Sequence, residues 1–165
     1  MPTINTQWTA WQKFNELTDD EWKKIPESPG VYQIRCVGAN GKPKKIKRLL
    51  NTDSEGILGI GESGYLRTRL RAFWGSPNQH AAAWNYTAFR YDKAFPKKFL
   101  QFCYAKTGAE DKKGKNKAVE LEFRLLLEYR KKFLDGPPLN VNRGKYPKTY
   151  IELFKKIIGK EPPKE

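Results

Sequence analysis

The chain has 165 residues, enough for one domain with a real core and too few for a doubly wound dinucleotide domain plus a substrate domain. Its 32 Lys and Arg against 18 Asp and Glu leave a formal charge of +14, a self-repulsion that a polyanion relieves, so nucleic acid is the leading partner. No run of about 18 apolar residues and no signal-like leader is present, and Cys36 and Cys103 lack CxxC or CxxH spacing, so no membrane partner, disulfide framework or zinc site is expected and a cytoplasmic location is.

Residues 1–28 read as an N-terminal extension carrying a short helix. Thr18 and Glu21 have capping-box spacing, and Pro26 ends the helix. "SPGVYQIRCVG" follows as a turn and a strand, with Tyr32, Ile34 and Cys36 on one face. Residues 39–56 are an excursion rich in Lys, Gly and Asn, after which "ILGIG" resumes the strand pattern. Residues 64–73 then predict a helix with Tyr65, Leu66, Leu70 and Phe73 on its apolar side. "KFLQFCYAK" is a third strand. The longest helical pattern covers residues 118–134, stopped by Asp135-Gly136-Pro137-Pro138. A last basic helix is predicted over 147–158, within a C-terminal helix and tail of residues 146–165.

Three glutamates on the long helix separate by spacing. Glu120, Arg124, Glu128 and Lys132 recur every four residues with alternating sign, the pattern of a solvated ridge of ion pairs. Glu122 lies about 200° around the helix from Glu120, in line with Ala118, Leu125, Leu126, Tyr129 and Phe133. A carboxylate on an apolar stripe needs a compensating cation, either a side chain or a metal ion. Hard oxygen ligands of this kind suit Mg²⁺.

"GILGIGESGYLRTRL" contains Gly59-x-Gly61-x-x-Gly64, the spacing of a dinucleotide-binding loop. That reading also needs a parallel partner strand and an acidic residue about 20 positions on. Neither is found: the region near His80 has no Asp or Glu, and no helical crossover precedes the loop. Arg67, Arg69 and Arg71 fall in the helix that follows, where guanidinium groups meet a phosphate well. Arg67 and Arg71 share one helix face, whereas Arg69 points elsewhere, on the side that turns toward the strands.

These elements together resemble the GIY-YIG nuclease domain. "PGVYQI" resembles its first motif, with Tyr32 as the tyrosine. "ILGIGESGYLRTRL" resembles the second strand and the helix after it, which puts Gly61 on the motif glycine and Arg69 on the family's arginine. "AVELEFRLLLEY" resembles the helix of the metal-binding glutamate and selects Glu122, and "PPLNV" resembles the closing element and selects Asn140. The match spans about residues 29–142, within a domain placed at 29–145. The second motif tyrosine is replaced by Gly59; Tyr65, His80 and Tyr86 are the candidates to stand in for it.

The resemblance implies a small α/β domain with a central three-stranded antiparallel sheet, from residues 31–37, 57–61 and 98–105, flanked by helices. It implies Mg²⁺-dependent (or Mn²⁺-dependent) hydrolysis of a DNA phosphodiester by a monomer or homodimer. In that mechanism Tyr32 takes the proton of the attacking water, Arg69 holds the phosphate, Glu122 carries the metal and Asn140 braces the site. Lys42, Lys44, Lys45, Lys47 and Arg48 in the excursion, with Arg67 and Arg71, are candidate contacts to the nucleic-acid backbone. A nucleic-acid-binding module that keeps the scaffold without catalysis, and an RNA-directed enzyme, fit the same charge.

Overall fold

The structure is a computed structural model in which residues 6–76, 80–140, 152 and 155–159 are described. Its centre is a four-stranded antiparallel sheet in the order β1 (Gln12–Lys13), β6 (Leu100–Lys106), β2 (Gly30–Cys36), β5 (Ile57–Ser63). The expected three strands are all present. The correction is a fourth, β1, which pairs Gln12 with Phe102 and Lys13 with Gln101 and so covers one edge. The third expected strand starts at Leu100, because residues 97–99 form a 3-10 turn after Pro96.

The excursion closes as a two-stranded ribbon, β3 (Ile46–Lys47) against β4 (Thr52–Asp53). Its base is held by Asp53, which is buried and accepts from the backbone N–H groups of Glu55, Gly56 and Ile57 and from the Tyr129 hydroxyl. A carboxylate with four donors satisfies its lone pairs inside the protein, which is what makes its burial tolerable.

Helices cover both faces of the sheet. α1 (Asp19–Lys24) opens with the expected capping box: Thr18 Oγ1 accepts from Glu21 N at 3.3 Å, and the Glu21 carboxylate accepts from Thr18 N at 2.7 Å. With α2 (Leu66–Gly75) and α3 (Ala81–Ala88) it encloses a core of Phe14, Trp22, Ile34, Leu58, Leu70 and Phe102. Each fully buried side chain of this size contributes about 1.5–3 kcal/mol. α4 (Tyr91–Ala94) follows on the same side. On the other face Leu126, Tyr129 and Phe133 of α5 (Lys112–Phe133) pack on Ile57 and Ile60.

Two helix starts differ from expectation for local reasons. α2 begins at Leu66, where the Leu66 and Arg67 N–H groups are taken by the carbonyls of Ser28 and Pro26, and Tyr65 stands outside it as an exposed N-cap instead of joining the apolar side. α5 begins six residues early, because Asp111 caps it by accepting from Gly114 N at 2.6 Å. Glu152 and residues 155–158 are helical, and the rest of the expected last helix lies outside the described residues.

Candidate active site

Tyr32 sits in the middle of β2, directly opposite Gly61 on the edge strand β5 and Tyr104 on β6. Gly61 has no side chain, so the Tyr32 ring lies across β5; a Cβ there would stand 2.4 Å from the phenol oxygen. The hydroxyl thus reaches over the edge strand, where it meets His80 Nε2 at 2.9 Å.

His80 is the N-cap of α3. Its Nδ1 accepts the Ala82 N–H at 3.2 Å, so the neutral ring carries its proton on Nε2 and donates it to the Tyr32 oxygen. Burial and the charge of Arg69 push the His80 pKa down to about 3, which keeps the ring neutral. Burial also lifts Tyr32 to about 12, while the Arg69 guanidinium pulls it back and the carboxylates of Glu122 and Glu62 raise it. Arg69, Glu122, Glu62 and His80 therefore all act on the Tyr32 oxygen.

Tyr65, His80 and Tyr86 differ in their relation to Tyr32. His80 is hydrogen-bonded to Tyr32. Tyr65 is 59% exposed. The Tyr86 hydroxyl donates to the Phe95 carbonyl. A Cβ at Gly59 would meet Leu139 at 3.5 Å and Asn140 Oδ1 at 3.8 Å, so the segment after α5 lies against the space a side chain would enter.

Asn140 closes that edge. Leu139 N donates to Leu58 O, and the Asn140 amide then accepts from Ile60 N at 2.8 Å and donates to Ile60 O at 2.6 Å. The side chain pairs with β5 as another strand would, a bracing role that protects the edge. Asn85, buried in α3, donates to Leu139 O and ties the helix of His80 to the same segment.

The three arginines of α2 separate as their spacing predicts. Arg67 donates to the carbonyls of Ile25 and Lys23 at the end of α1, and Arg71 stands over Trp22 with Asp19 at 3.7 Å. Arg69 alone turns to Tyr32. Its buried Nε has no hydrogen-bond partner, a cost that an anion seated there removes. Arg48 also differs from expectation: it is largely buried and donates to the Asp135 carboxylate and the Gly136 carbonyl. Arg48 and Arg67 thus have structural partners where phosphate contact was expected. Lys44 reaches the Ala94 carbonyl and stands over Phe95, whereas Lys42, Lys45 and Lys47 are exposed on the ribbon.

Two residues unmarked in the sequence join the cluster. Glu62, next after Gly61, has a buried Oε2 with no partner; burial raises its pKa, and Lys115 and Arg69 lower it. Lys115 precedes Glu122 by seven residues, two helical turns, which is the one sequence signal that placed them on the same face.

Among the described residues no three His, Cys, Asp or Glu side chains cluster as a ready-made metal site. Mg²⁺ takes one or two protein carboxylates and fills its shell with water and phosphate. Glu122, with the unpartnered oxygen of Glu62 acting on the same phenol, fits that donor set. No helix among the described residues is long and apolar enough to cross a membrane. Comparisons with protein-family models, curated proteins and solved structures found no match.

Proposed function

We propose that the protein is a divalent-metal-dependent nuclease that hydrolyses DNA phosphodiester bonds, with Tyr32, Arg69, Glu122 and His80 as its reacting constellation and Asn140 as its brace. The observation that carries the reading is the phenol oxygen of Tyr32, 2.9 Å from His80 Nε2 and under the charges of Arg69 and Glu122.

His80 and Arg69 both meet that oxygen as donors and oppose the burial that lifts Tyr32 to about 12, which lowers the cost of forming the phenolate without making it the resting form. Tyr32 as the phenolate accepts a proton from the attacking water. Arg69 holds the phosphate through its fork, gives its buried Nε the missing partner, and offsets charge as it develops. Glu122 holds Mg²⁺ or Mn²⁺, and the ion when bound supplies Lewis-acid stabilisation of the leaving oxygen. The net charge of +14 and the exposed lysines of the ribbon draw the polyanion in.

Supercoiled plasmid DNA with Mg²⁺ tests the reading: the wild type nicks it, and Glu122→Ala and Arg69→Ala do not. A second reading, a nucleic-acid-binding module without catalysis, is favoured by Gly59 at the motif tyrosine and by the burial of Tyr32, only 3% exposed. Binding with a steep salt dependence and no nicking under any divalent metal selects it. Cleavage of RNA but not DNA selects an RNA-directed enzyme on the same scaffold.

A further inference from the structure

Beside the catalytic cluster lies a second feature that the mechanism does not use. A cleft of about 350 Å³ opens between the loop joining β5 to α2 and the first turns of α5, lined by Pro29, Gly64, Tyr65, Glu110, Lys112 and Lys115. Its size is at the low end for ligand pockets, which run from about 300 Å³.

Its walls differ in chemistry. Tyr65 presents an aromatic ring with its polar end free of the core, while its backbone N–H is fixed by Ser63 Oγ at 2.9 Å. Opposite, the Lys115 stem lies 3.8 Å from where a Gly64 Cβ would stand, an ordinary contact distance, so the lysine flanks the cleft at this loop. The half-buried carboxyl of Glu62, whose Oε2 has no hydrogen-bond partner, feels the charge of Lys115. Glu110 is an exposed carboxylate at the rim, whereas Asp111 is committed to capping α5.

The cleft shares two elements with the site. Tyr65 precedes Arg69 by one turn of α2, and Lys115 precedes Glu122 by two turns of α5. One helical turn is about 5.4 Å, within reach of the nucleotide next to a phosphate held by Arg69.

We propose that this cleft is a subsite for the nucleotide adjoining the scissile phosphate. Tyr65 stacks on its base, Lys115 meets its phosphate, and Glu110 accepts from an exocyclic amine. Adenine, cytosine and guanine carry such an amine and thymine does not, so the cleft disfavours thymine beside the cut. The inference rests on the nuclease reading and adds a base preference to it.

Two measurements on the full-length chain test it: anisotropy of a fluorescein-labelled duplex in EDTA, and sequencing of the cut sites left in random-sequence duplexes with Mg²⁺. Tyr65→Ala weakens duplex binding about five- to tenfold, as loss of one stacked base does, and Tyr65→Phe binds as the wild type does. Glu110→Ala, which removes the acceptor, raises the share of thymine beside the cut among the sequenced sites. If the wild type binds and nicks while Tyr65→Ala and Lys115→Ala keep its affinity and its cut-site distribution, the subsite is overturned and the nuclease reading stands. A wild type that neither binds nor nicks overturns both.

Discussion

The Tyr32 phenol lies over Gly61, at the distance where a Cβ on residue 61 would be 2.4 Å from the phenol oxygen and 2.5 Å from the carbon that bears it. One residue's lack of a side chain thus sets where the other's oxygen goes, and His80 and Arg69 are arranged around that point.

Gly61→Ala forces the Tyr32 ring off β5. Overpacking of this kind costs about 1–3 kcal/mol. Chemical denaturation of the variant should show a loss in that range, and any nicking activity should fall far more than stability does, because the Tyr32–His80 hydrogen bond is broken. Equal activity in Gly61→Ala and wild type would show that this placement is irrelevant to the chemistry.

His80 gives stability a pH dependence whose sign follows from its burial. The imidazole titrates near 6.5 in the unfolded chain and is pushed down to about 3 in the fold. Between these values the unfolded state binds a proton that the native state refuses, so this contribution is complete above pH 6.5 and is lost as pH falls toward 3. The slope for one proton is about 1.4 kcal/mol per pH unit. Denaturation midpoints measured across that window should fall more steeply for wild type than for His80→Gln.

Arg48 and the ribbon lysines should behave as different kinds of cation. Arg48→Ala removes the charged hydrogen bonds to Asp135 and Gly136 and should cost about 2 kcal/mol of stability. It should leave the salt dependence of DNA binding unchanged. Lys45→Ala with Lys47→Ala should leave stability within about 0.5 kcal/mol, as surface changes do. The same pair should flatten the log Kd against log salt slope by about two phosphate contacts.

Asn140→Ala leaves the Ile60 N–H and carbonyl without their side-chain partner. Part-buried backbone groups orphaned in this way cost about 1–3 kcal/mol. Hydrogen exchange should show the loss confined to β5 and the residues before 140, with Ile60 exchanging faster than the centre of β2.

The parts that sequence reasoning reaches are those where one residue's neighbours along the chain settle its place. The Thr18 and Glu21 spacing is a complete local device, and it forms. Alternation places Tyr32 on the face of Ile34 and Cys36, and helical spacing alone separates Arg69 from Arg67 and Arg71. β1 is too short to carry a period, so it is legible only once β6 is there to pair with it. Arg48 and Arg67 look like free cations because a sequence shows their charge and not the carbonyls that meet them. The contact between His80 and Tyr32, 48 residues apart, has no sequence signal at all. His80 and Asn140 are 60 residues apart, and the fold brings them to neighbouring strands, His80 to Tyr32 on β2 and Asn140 to Ile60 on β5.

The central claim is that Tyr32, Arg69 and Glu122 form one hydrolytic site, and the most direct measurement is the rate of plasmid nicking with Mg²⁺ for wild type, Tyr32→Phe, Arg69→Ala and Glu122→Ala, each checked for folding by circular dichroism. The account predicts nicking by the wild type and a loss of at least about 100-fold in every folded variant, the scale of a removed acid–base or charge-stabilising group. Nicking that persists undiminished in folded Glu122→Ala and Tyr32→Phe, or a wild type that cleaves no nucleic acid under any divalent metal, would contradict it.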